Sequence, residues 1–205
     1  MIQCICGLPG NGKTLYAVWL AHELISQGRR VATNIEITGS FPYADQIYRI
    51  GCDNYPIVSK EGCYFNWFPG ETVFIIDEAD AYFDSEDWGK IASQNKLYLK
   101  QHRKRGDDVI FLLQYPTNLW VRIRRMVNEW VWCRKDGELN IGQGFIDSMI
   151  YSMLPEKMRR FRRASYVNET MLPNQFIRGG HFTFAEAEQI YGWYKTEQLI
   201  GAVTF

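Results

Sequence analysis

Short runs of apolar residues recur along the first 135 residues, and most of them are bounded by glycine, proline or charged residues. A run of four to eight apolar or β-branched residues between such turn signals is typical of a strand that is buried on both faces. Strands are predicted at 2–6, 31–37, 71–76, 108–114 and 129–134, and those at 71–76 and 108–114 have this buried pattern. A further short strand is indicated near 48–50, inside an otherwise irregular, proline-containing segment at 38–70.

Helical spacing of apolar residues alternates with these strands. Residues 15–27 carry apolar side chains three and four positions apart and stop before Gly28, which predicts a helix. Further helices are predicted at about 90–104 and at 119–127. Strands that alternate with helices predict an α/β fold with a central, mainly parallel sheet flanked by helices.

The alternation stops near residue 137. The chain then becomes glycine-rich at 141–144, apolar at 145–154, basic at 157–163 and aromatic toward its end. We therefore expect a core at 1–136 and a small C-terminal extension at 137–205 that packs on this core.

Composition narrows the class of protein. The 205 residues include 23 Lys and Arg against 23 Asp and Glu, so zero net charge argues against indiscriminate binding to polyanions. No apolar run reaches the roughly 18 residues that span a bilayer, and we expect the chain as given to be soluble. Five cysteines without a CxxC pair favour reduced thiols over a disulfide framework or a zinc cage, with Cys4 and Cys6 as buried strand residues.

The loop after the first predicted strand carries the most specific motif. Residues 7–14, GLPGNGKT, match G-x-x-x-x-G-K-[ST] between a strand and a helix, where glycines and the helix N-terminus can hold phosphates. The pattern predicts a P-loop NTPase of the RecA-like type that binds ATP. Lys13 would reach the β- and γ-phosphates, and the Thr14 hydroxyl would be a Mg²⁺ ligand. The predicted nucleotide-binding residues are Gly7, Leu8, Pro9, Gly10, Asn11, Gly12, Lys13, Thr14 and Leu15.

Two acidic residues follow the predicted strand at 71–76. Asp77 is expected to hold Mg²⁺, and Glu78 to orient and deprotonate the attacking water. An acidic base placed for hydrolysis favours an ATPase over a kinase, since kinases exclude water. Gln114, which ends the next buried strand, is a candidate sensor of the γ-phosphate or of the lytic water.

Arginines could neutralise the charge that develops during phosphoryl transfer, often from a neighbouring subunit. The candidates expected to lie near the catalytic edge of the sheet precede or follow the predicted strand at 108–114: Arg103 and Arg105 before it, and Arg122, Arg124 and Arg125 after it. Arg103 and Arg105 are favoured. The basic run between Lys157 and Arg163 contains Phe161, and could contact DNA or a membrane interface. A solvated face or an ion-pair surface between subunits explains this run equally well.

Several strings together resemble one family. GLPGNGKT at the N-terminus, VFIIDEAD, LKQHRKRGDDVIFLLQYP, VRIRR and the late WYKTEQL are similar to the cytoplasmic ATPase domain of zonula occludens toxin (Zot)-like proteins. That family includes the filamentous-phage gene I assembly proteins, within the wider FtsK/HerA group. The resemblance covers roughly residues 1–200 and assigns the nucleotide to Gly7–Thr14, the metal and the water to Asp77 and Glu78, and the sensor role to Gln114.

The resemblance implies an inner-membrane motor that hydrolyses ATP to drive assembly and extrusion of filamentous virions. It implies a homo-oligomeric ring, for example a hexamer, with phage assembly proteins and a membrane channel as partners, on the cytoplasmic face of the host inner membrane. Family members continue into a transmembrane helix, so the chain is expected to be either the cytoplasmic portion of a longer protein or a relative without the anchor. Three alternatives stay open: a viral DNA-packaging or DNA-translocating ATPase, a small-molecule kinase, and a nucleotide-gated scaffold without turnover.

Overall fold

The computed structural model describes residues 1–51, 64–84, 93–136, 160–171 and 173–195. Its strands are β1 (Ile2–Cys6), β2 (Arg30–Thr33), β3 (Ile47–Arg49), β4 (Thr72–Ile76), β5 (Asp108–Leu113), β6 (Glu129–Lys135), β7 (Phe161–Tyr166) and β8 (Phe176–Phe182). Its α-helices are α1 (Lys13–Ser26), α2 (Asp80–Phe83), α3 (Ser93–Gln101), α4 (Val121–Arg124) and α5 (Phe184–Tyr191). Short 3₁₀ helices lie at Ala44–Gln46, Tyr64–Trp67, His102–Arg105, Pro116–Asn118 and Pro173–Gln175.

All of these strands join one sheet in the order β3-β2-β4-β5-β1-β6-β7-β8. The first six in this order are parallel, while β7 pairs antiparallel with both β6 and β8. The strand before the glycine loop, β1, is therefore separated by β5 from β4, the strand before Asp77. The six parallel strands confirm the prediction of an α/β fold with a mainly parallel sheet. Because the strands are parallel, the segments that follow β1, β2, β4 and β5 meet at one edge of the sheet, which we call the carboxyl edge.

Two hydrophobic layers cover the two faces of the sheet. One layer contains Phe74 and Phe111 from the strands together with Leu99 from α3. The other contains the adjacent strand residues Ile75 and Leu112, packed against α1 and α5. Every residue of β1 and β4 is buried, which explains why the central strands are continuously apolar rather than alternating.

Some predicted elements differ from the observed ones. The second strand ends at Thr33 rather than at Ile37. The helix predicted at 119–127 is confined to α4, and the one predicted at 90–104 contains α3 followed by a 3₁₀ turn, with residues 90–92 outside the described part. The cysteines of β1 agree with their prediction, because Cys4 and Cys6 lie fully buried in one core layer. Cys52 and Cys63 lie outside the described residues.

The described residues after 159 extend the same sheet. Strands β7 and β8 lengthen it at the β6 side, and α5 packs beside α1. The division into a core at 1–136 and an extension at 137–205 stays a prediction, since residues 137–159 and 196–205 are outside the described part. None of the helices among the described residues has both the length and the apolar character needed to cross a lipid bilayer.

Candidate nucleotide site

The loop between β1 and α1 has a backbone that requires glycine at its two ends. Gly12, immediately before α1, has φ +80°, and a Cβ at this position would lie 2.8 Å from the Phe161 ring. A Cβ on Gly7, at φ +151°, would lie 2.4 Å from the carbonyl oxygen of Cys133. The glycines of the motif therefore let β6 and β7 approach the loop closely.

Lys13 is held against the same loop. Its Nζ donates to the carbonyl oxygen of Gly7 at 2.8 Å and to that of Leu8 at 3.2 Å. The first turn of α1 contains no acidic residue, so the ammonium and the helix N-terminus both present positive charge at the loop. This is the electrostatic setting that an anionic phosphate group requires.

The first helical turn contacts the residue that follows β4. Thr14 Oγ1 donates to Asp77 Oδ2 at 3.0 Å, across 63 positions of sequence. The backbone N–H of Glu78 donates to the other carboxylate oxygen of Asp77 at 2.9 Å. Burial raises the pKa of Asp77 above its usual range, and the bonds from Thr14 and Glu78 offset only part of this effect.

Glu78 lies in a strained and exposed position next to this pair. Its φ is +48°, in the left-handed region that non-glycine residues rarely adopt. The next residue, Ala79, donates its N–H to the carbonyl oxygen of Leu112 at 3.0 Å, which fixes the turn against β5. Partial burial and the nearby charges of Asp77 and Asp80 raise the pKa of Glu78. Strain of this kind persists where the surrounding structure requires it, often at functional sites.

Asn34 was not among the predicted site residues, yet it holds Asp77 in place. Its Oδ1 accepts from the Asp77 N–H at 2.7 Å, and its Nδ2 donates to the Asp77 carbonyl oxygen at 3.0 Å. Asn34 directly follows β2, the strand next to β4. The sequence carried one usable signal, because asparagine is unfavourable inside the strand that we predicted at 31–37.

A cavity of about 420 Å³ opens at the carboxyl edge beside these residues. Its lining includes most of the predicted site: Pro9, Gly10, Gly12, Lys13, Thr14, Leu15, Asp77, Glu78 and Gln114. Gly7, Leu8 and Asn11 belong to the loop without lining the cavity. The C-terminal residues Tyr191, Tyr194 and Lys195 also line it, and sequence reasoning had not placed them there.

Arg103 and Arg105 lie away from this cavity, and the expectation that they lie near the catalytic edge is wrong. They directly precede β5 and therefore sit at the amino edge of the sheet, about 20 Å from Gln114 along a six-residue strand. Arg103 donates to Asn128, while Arg105 pairs with the buried Asp107 at 2.9 Å. The direction of β5 contained this information, because residues that precede a parallel strand lie opposite those that follow it.

Two arginines in the described part of the basic run at 157–163 have side chains engaged within the chain. Arg162 Nε donates to Asp136 Oδ1 at 2.6 Å. The Arg163 guanidinium lies 4.7–4.9 Å from the ring centres of Tyr16, Trp19 and Phe182. Residues 157–159 fall outside the described part, so DNA contact through this run stays a prediction.

The sheet order, the glycine loop and the Thr14–Asp77 contact define a class: the chain has the fold of a P-loop NTPase. The genome packaging NTPase B204 of Sulfolobus turreted icosahedral virus 2, solved in complex with ATP-gammaS, shares this fold with a TM-score of 0.52. It is 12% identical in sequence, and the match covers 89% of this chain and 96% of that one.

Residues 1–160 match the family described as Zonular occludens toxin (Zot), and the chain belongs to that family. The solved N-terminal domain of zonular occludens toxin from Neisseria meningitidis has a TM-score of 0.57 at 20% identity, covering 95% of this chain and 98% of that domain.

Two phage proteins are similar in sequence. The "Putative assembly protein ORF301" of Pseudomonas phage Pf3 is 29% identical over 62% of this chain and 40% of its own length. The Gene 1 protein of Enterobacteria phage I2-2 is 28% identical over 97% of this chain and 57% of its own length. The chain thus spans about half the length of the curated relatives that it matches.

Proposed function

We propose that the chain binds ATP with Mg²⁺ and hydrolyses it, as the motor domain for assembly and extrusion of filamentous phage. The observation that carries the ATPase proposal is the 3.0 Å contact between Thr14 and Asp77, with Glu78 beside it. It joins the phosphate loop to the acidic end of a buried strand within one cavity. Hydrolysis needs these two parts together.

The oxygen atoms of Thr14 and Asp77 suit a magnesium ion. Adjacent ligands of octahedral Mg²⁺, each about 2.1 Å from the ion, lie roughly 3 Å apart, which matches the observed separation. Thr14 Oγ1 and an Asp77 carboxylate oxygen would hold the ion, directly or through water. When bound, Mg²⁺ would neutralise charge on the phosphates.

The remaining roles follow from position. Lys13 would exchange the carbonyl oxygens of Gly7 and Leu8 for the β- and γ-phosphates, which are stronger acceptors for an ammonium group. Glu78 would accept a proton from the attacking water, and its raised pKa suits a base that must hold a proton transiently. Gln114, exposed at the end of β5 and lining the cavity, would orient that water or the γ-phosphate.

The phage-assembly part of the proposal depends on the family and on the two phage relatives. In this proposal the chain works as a homo-oligomeric ring, for example a hexamer, on the cytoplasmic face of the host inner membrane. Its partners are phage assembly proteins and a membrane channel. The competing proposal is a viral DNA-packaging or DNA-translocating ATPase, and the likeness to B204 favours keeping it.

Release of phosphate from ATP, measured with and without single-stranded and duplex DNA, tests the ATPase and separates these proposals. Magnesium-dependent hydrolysis that Lys13→Ala abolishes supports the ATPase. Hydrolysis that DNA stimulates many-fold favours DNA translocation, whereas transfer of phosphate to an added acceptor instead of to water would select a kinase. Binding of ATP without turnover under all of these conditions would contradict the ATPase proposal. Mass measurement with and without nucleotide tests the ring.

A further inference from the structure

The end of the described chain returns to the carboxyl edge of the sheet. Residues 192–195, which follow α5, pair with the segment after β2: Ile37 forms an antiparallel bridge with Tyr194. The Thr38 N–H donates to the carbonyl oxygen of Trp193 at 2.8 Å, and the Lys195 N–H to that of Glu36 at 3.0 Å. Backbone hydrogen bonds therefore fix residues 192–195 next to the segment that follows β2.

This placement brings side chains of the segment into the nucleotide cavity. Tyr191, Tyr194 and Lys195 line it together with Lys13 and Glu78. Burial raises the pKa of Tyr194, with smaller contributions from Tyr191 and from Asp77. Tyr194 therefore lines the cavity as a neutral side chain. The charge that the segment brings to the cavity is that of Lys195.

Lys195 matters because of the other charges around the cavity. Three carboxylates line it, those of Asp77, Glu78 and Asp80. Among the described residues that line it, the cationic ones are Lys13 and Lys195. A nucleoside triphosphate carries several negative charges, and charge-assisted hydrogen bonds to phosphate are strong and short. The segment after β2 begins with Asn34, which bonds to Asp77, and the Lys195 N–H bonds to Glu36 in the same segment. Lys195 therefore lies on the Asp77 side of the cavity.

The contact that Lys195 makes within the chain is one that a phosphate could replace. Its Nζ donates to Glu36 Oε1 at 2.5 Å, and 61% of the Lys195 side chain and 28% of the Glu36 side chain are exposed. An ion pair that is open to water contributes little to stability. Exchange of Glu36 for a phosphate oxygen would therefore cost the fold little.

We propose that Lys195 is a second cationic ligand of the γ-phosphate, supplied by the C-terminal segment of the same chain and exchanged from Glu36 when the nucleotide binds. This inference builds on the proposed binding of ATP. Within one chain, it adds a positive charge to the one that we expect from an arginine of a neighbouring subunit.

Binding of a non-hydrolysable ATP analogue and of ADP, each with Mg²⁺, tests this role in the full 205-residue chain. Lys195→Ala should weaken binding of the analogue about tenfold and leave that of ADP nearly unchanged, because ADP lacks the γ-phosphate. Lys195→Arg should keep most of the affinity, since it keeps a cation.

Glu36→Gln is the matched control. It breaks the same ion pair but keeps the ammonium, so analogue binding should stay equal or become tighter. If Lys195 only anchors the segment, Glu36→Gln and Lys195→Ala would weaken binding equally, and that result would overturn the proposal. An unchanged affinity of Lys195→Ala for the analogue would overturn it too.

This comparison is separate from the test of hydrolysis. A wild-type chain that binds the analogue but releases no phosphate from ATP would contradict the ATPase proposal. The effect of Lys195→Ala on affinity for the analogue, compared with its effect on affinity for ADP, would still decide the role of Lys195. A wild-type chain that binds neither nucleotide would contradict both. Thermal unfolding of each variant shows whether the fold has been preserved.

Discussion

Asn34 holds both backbone polar groups of Asp77: its Oδ1 accepts from the Asp77 N–H at 2.7 Å and its Nδ2 donates to the Asp77 carbonyl oxygen at 3.0 Å. These two bonds link the ends of the neighbouring strands β2 and β4. They fix the backbone from which the Asp77 carboxylate reaches Thr14. Asn34 is thus a positioning residue for the proposed metal site.

Asn34→Ala should therefore lower both stability and activity. The two bonded groups of Asp77 lose their partners, which should reduce the free energy of unfolding by about 1–3 kcal/mol. The turnover number for ATP should fall as Asp77 loses its alignment. Urea unfolding and phosphate release measure the two effects. Asn174→Ala, at an exposed asparagine, is the control that should change neither; an Asn34 variant that behaves like this control would contradict the role.

Asp77→Asn should separate stability from function. Burial raises the pKa of Asp77 in the folded state, so the folded chain holds this proton more tightly than the unfolded chain does. The ionised carboxylate therefore disfavours the folded state at about pH 7, and this penalty disappears as the pH falls through the folded-state pKa. We expect Asp77→Asn to unfold at a higher temperature than the wild type at about pH 7 and to lose magnesium-dependent hydrolysis.

The pH dependence of this difference is the sharper observation. In metal-free buffer the gap between the two unfolding temperatures should narrow as the solution is acidified, because the wild-type carboxylate takes up its proton. A gap that widens on acidification, or a variant that is less stable at about pH 7, would show that the Asp77 charge stabilises the fold.

The two arginines before β5 should behave differently when removed. Arg105 neutralises Asp107, whose side chain is fully buried and also accepts from Tyr98 OH at 2.9 Å. Since 30% of the Arg105 side chain is exposed, we expect Arg105→Ala to cost about 1–3 kcal/mol of unfolding free energy, less than a fully buried pair. Its turnover number should stay near that of the wild type well below the unfolding temperature.

Arg103 is exposed and donates to Asn128, so Arg103→Ala should leave the unfolding free energy unchanged. The prediction that an arginine acts from a neighbouring subunit now applies chiefly to Arg103. If it does, Arg103→Ala should lower turnover, and mixing it with Lys13→Ala chains should restore part of the activity. A fully active Arg103→Ala variant would contradict this role for Arg103.

Local patterns were sufficient to predict the central part of the fold. The apolar runs of β1, β4 and β5 are continuous because these strands are buried on both faces. The glycine motif and the acidic pair are short segments whose chemistry is readable from the residues themselves. Their meeting in one cavity followed from the parallel sheet, because parallel strands end at the same edge.

Long-range contacts were not predictable in the same way. The bonds between Asn34 and Asp77 depend on which strands are neighbours in the sheet. The return of Lys195 to the cavity depends on the pairing of residues 36–38 with residues 193–195. No local periodicity encodes either contact. The error over Arg103 and Arg105 was different in kind, since the direction of β5 would have placed them at the amino edge.

We infer that the Asp77–Glu78 pair makes this cavity a site of ATP hydrolysis, and Glu78→Gln tests this inference. Glutamine keeps the size of the side chain but cannot accept the proton of the attacking water. ATP binding and phosphate release should be measured on this variant, with Glu188→Gln, at an exposed glutamate of α5, as the control. We expect unchanged ATP affinity with hydrolysis lowered about 10²- to 10⁴-fold in Glu78→Gln alone. Hydrolysis at the wild-type rate in Glu78→Gln would contradict the role of Glu78 as the base.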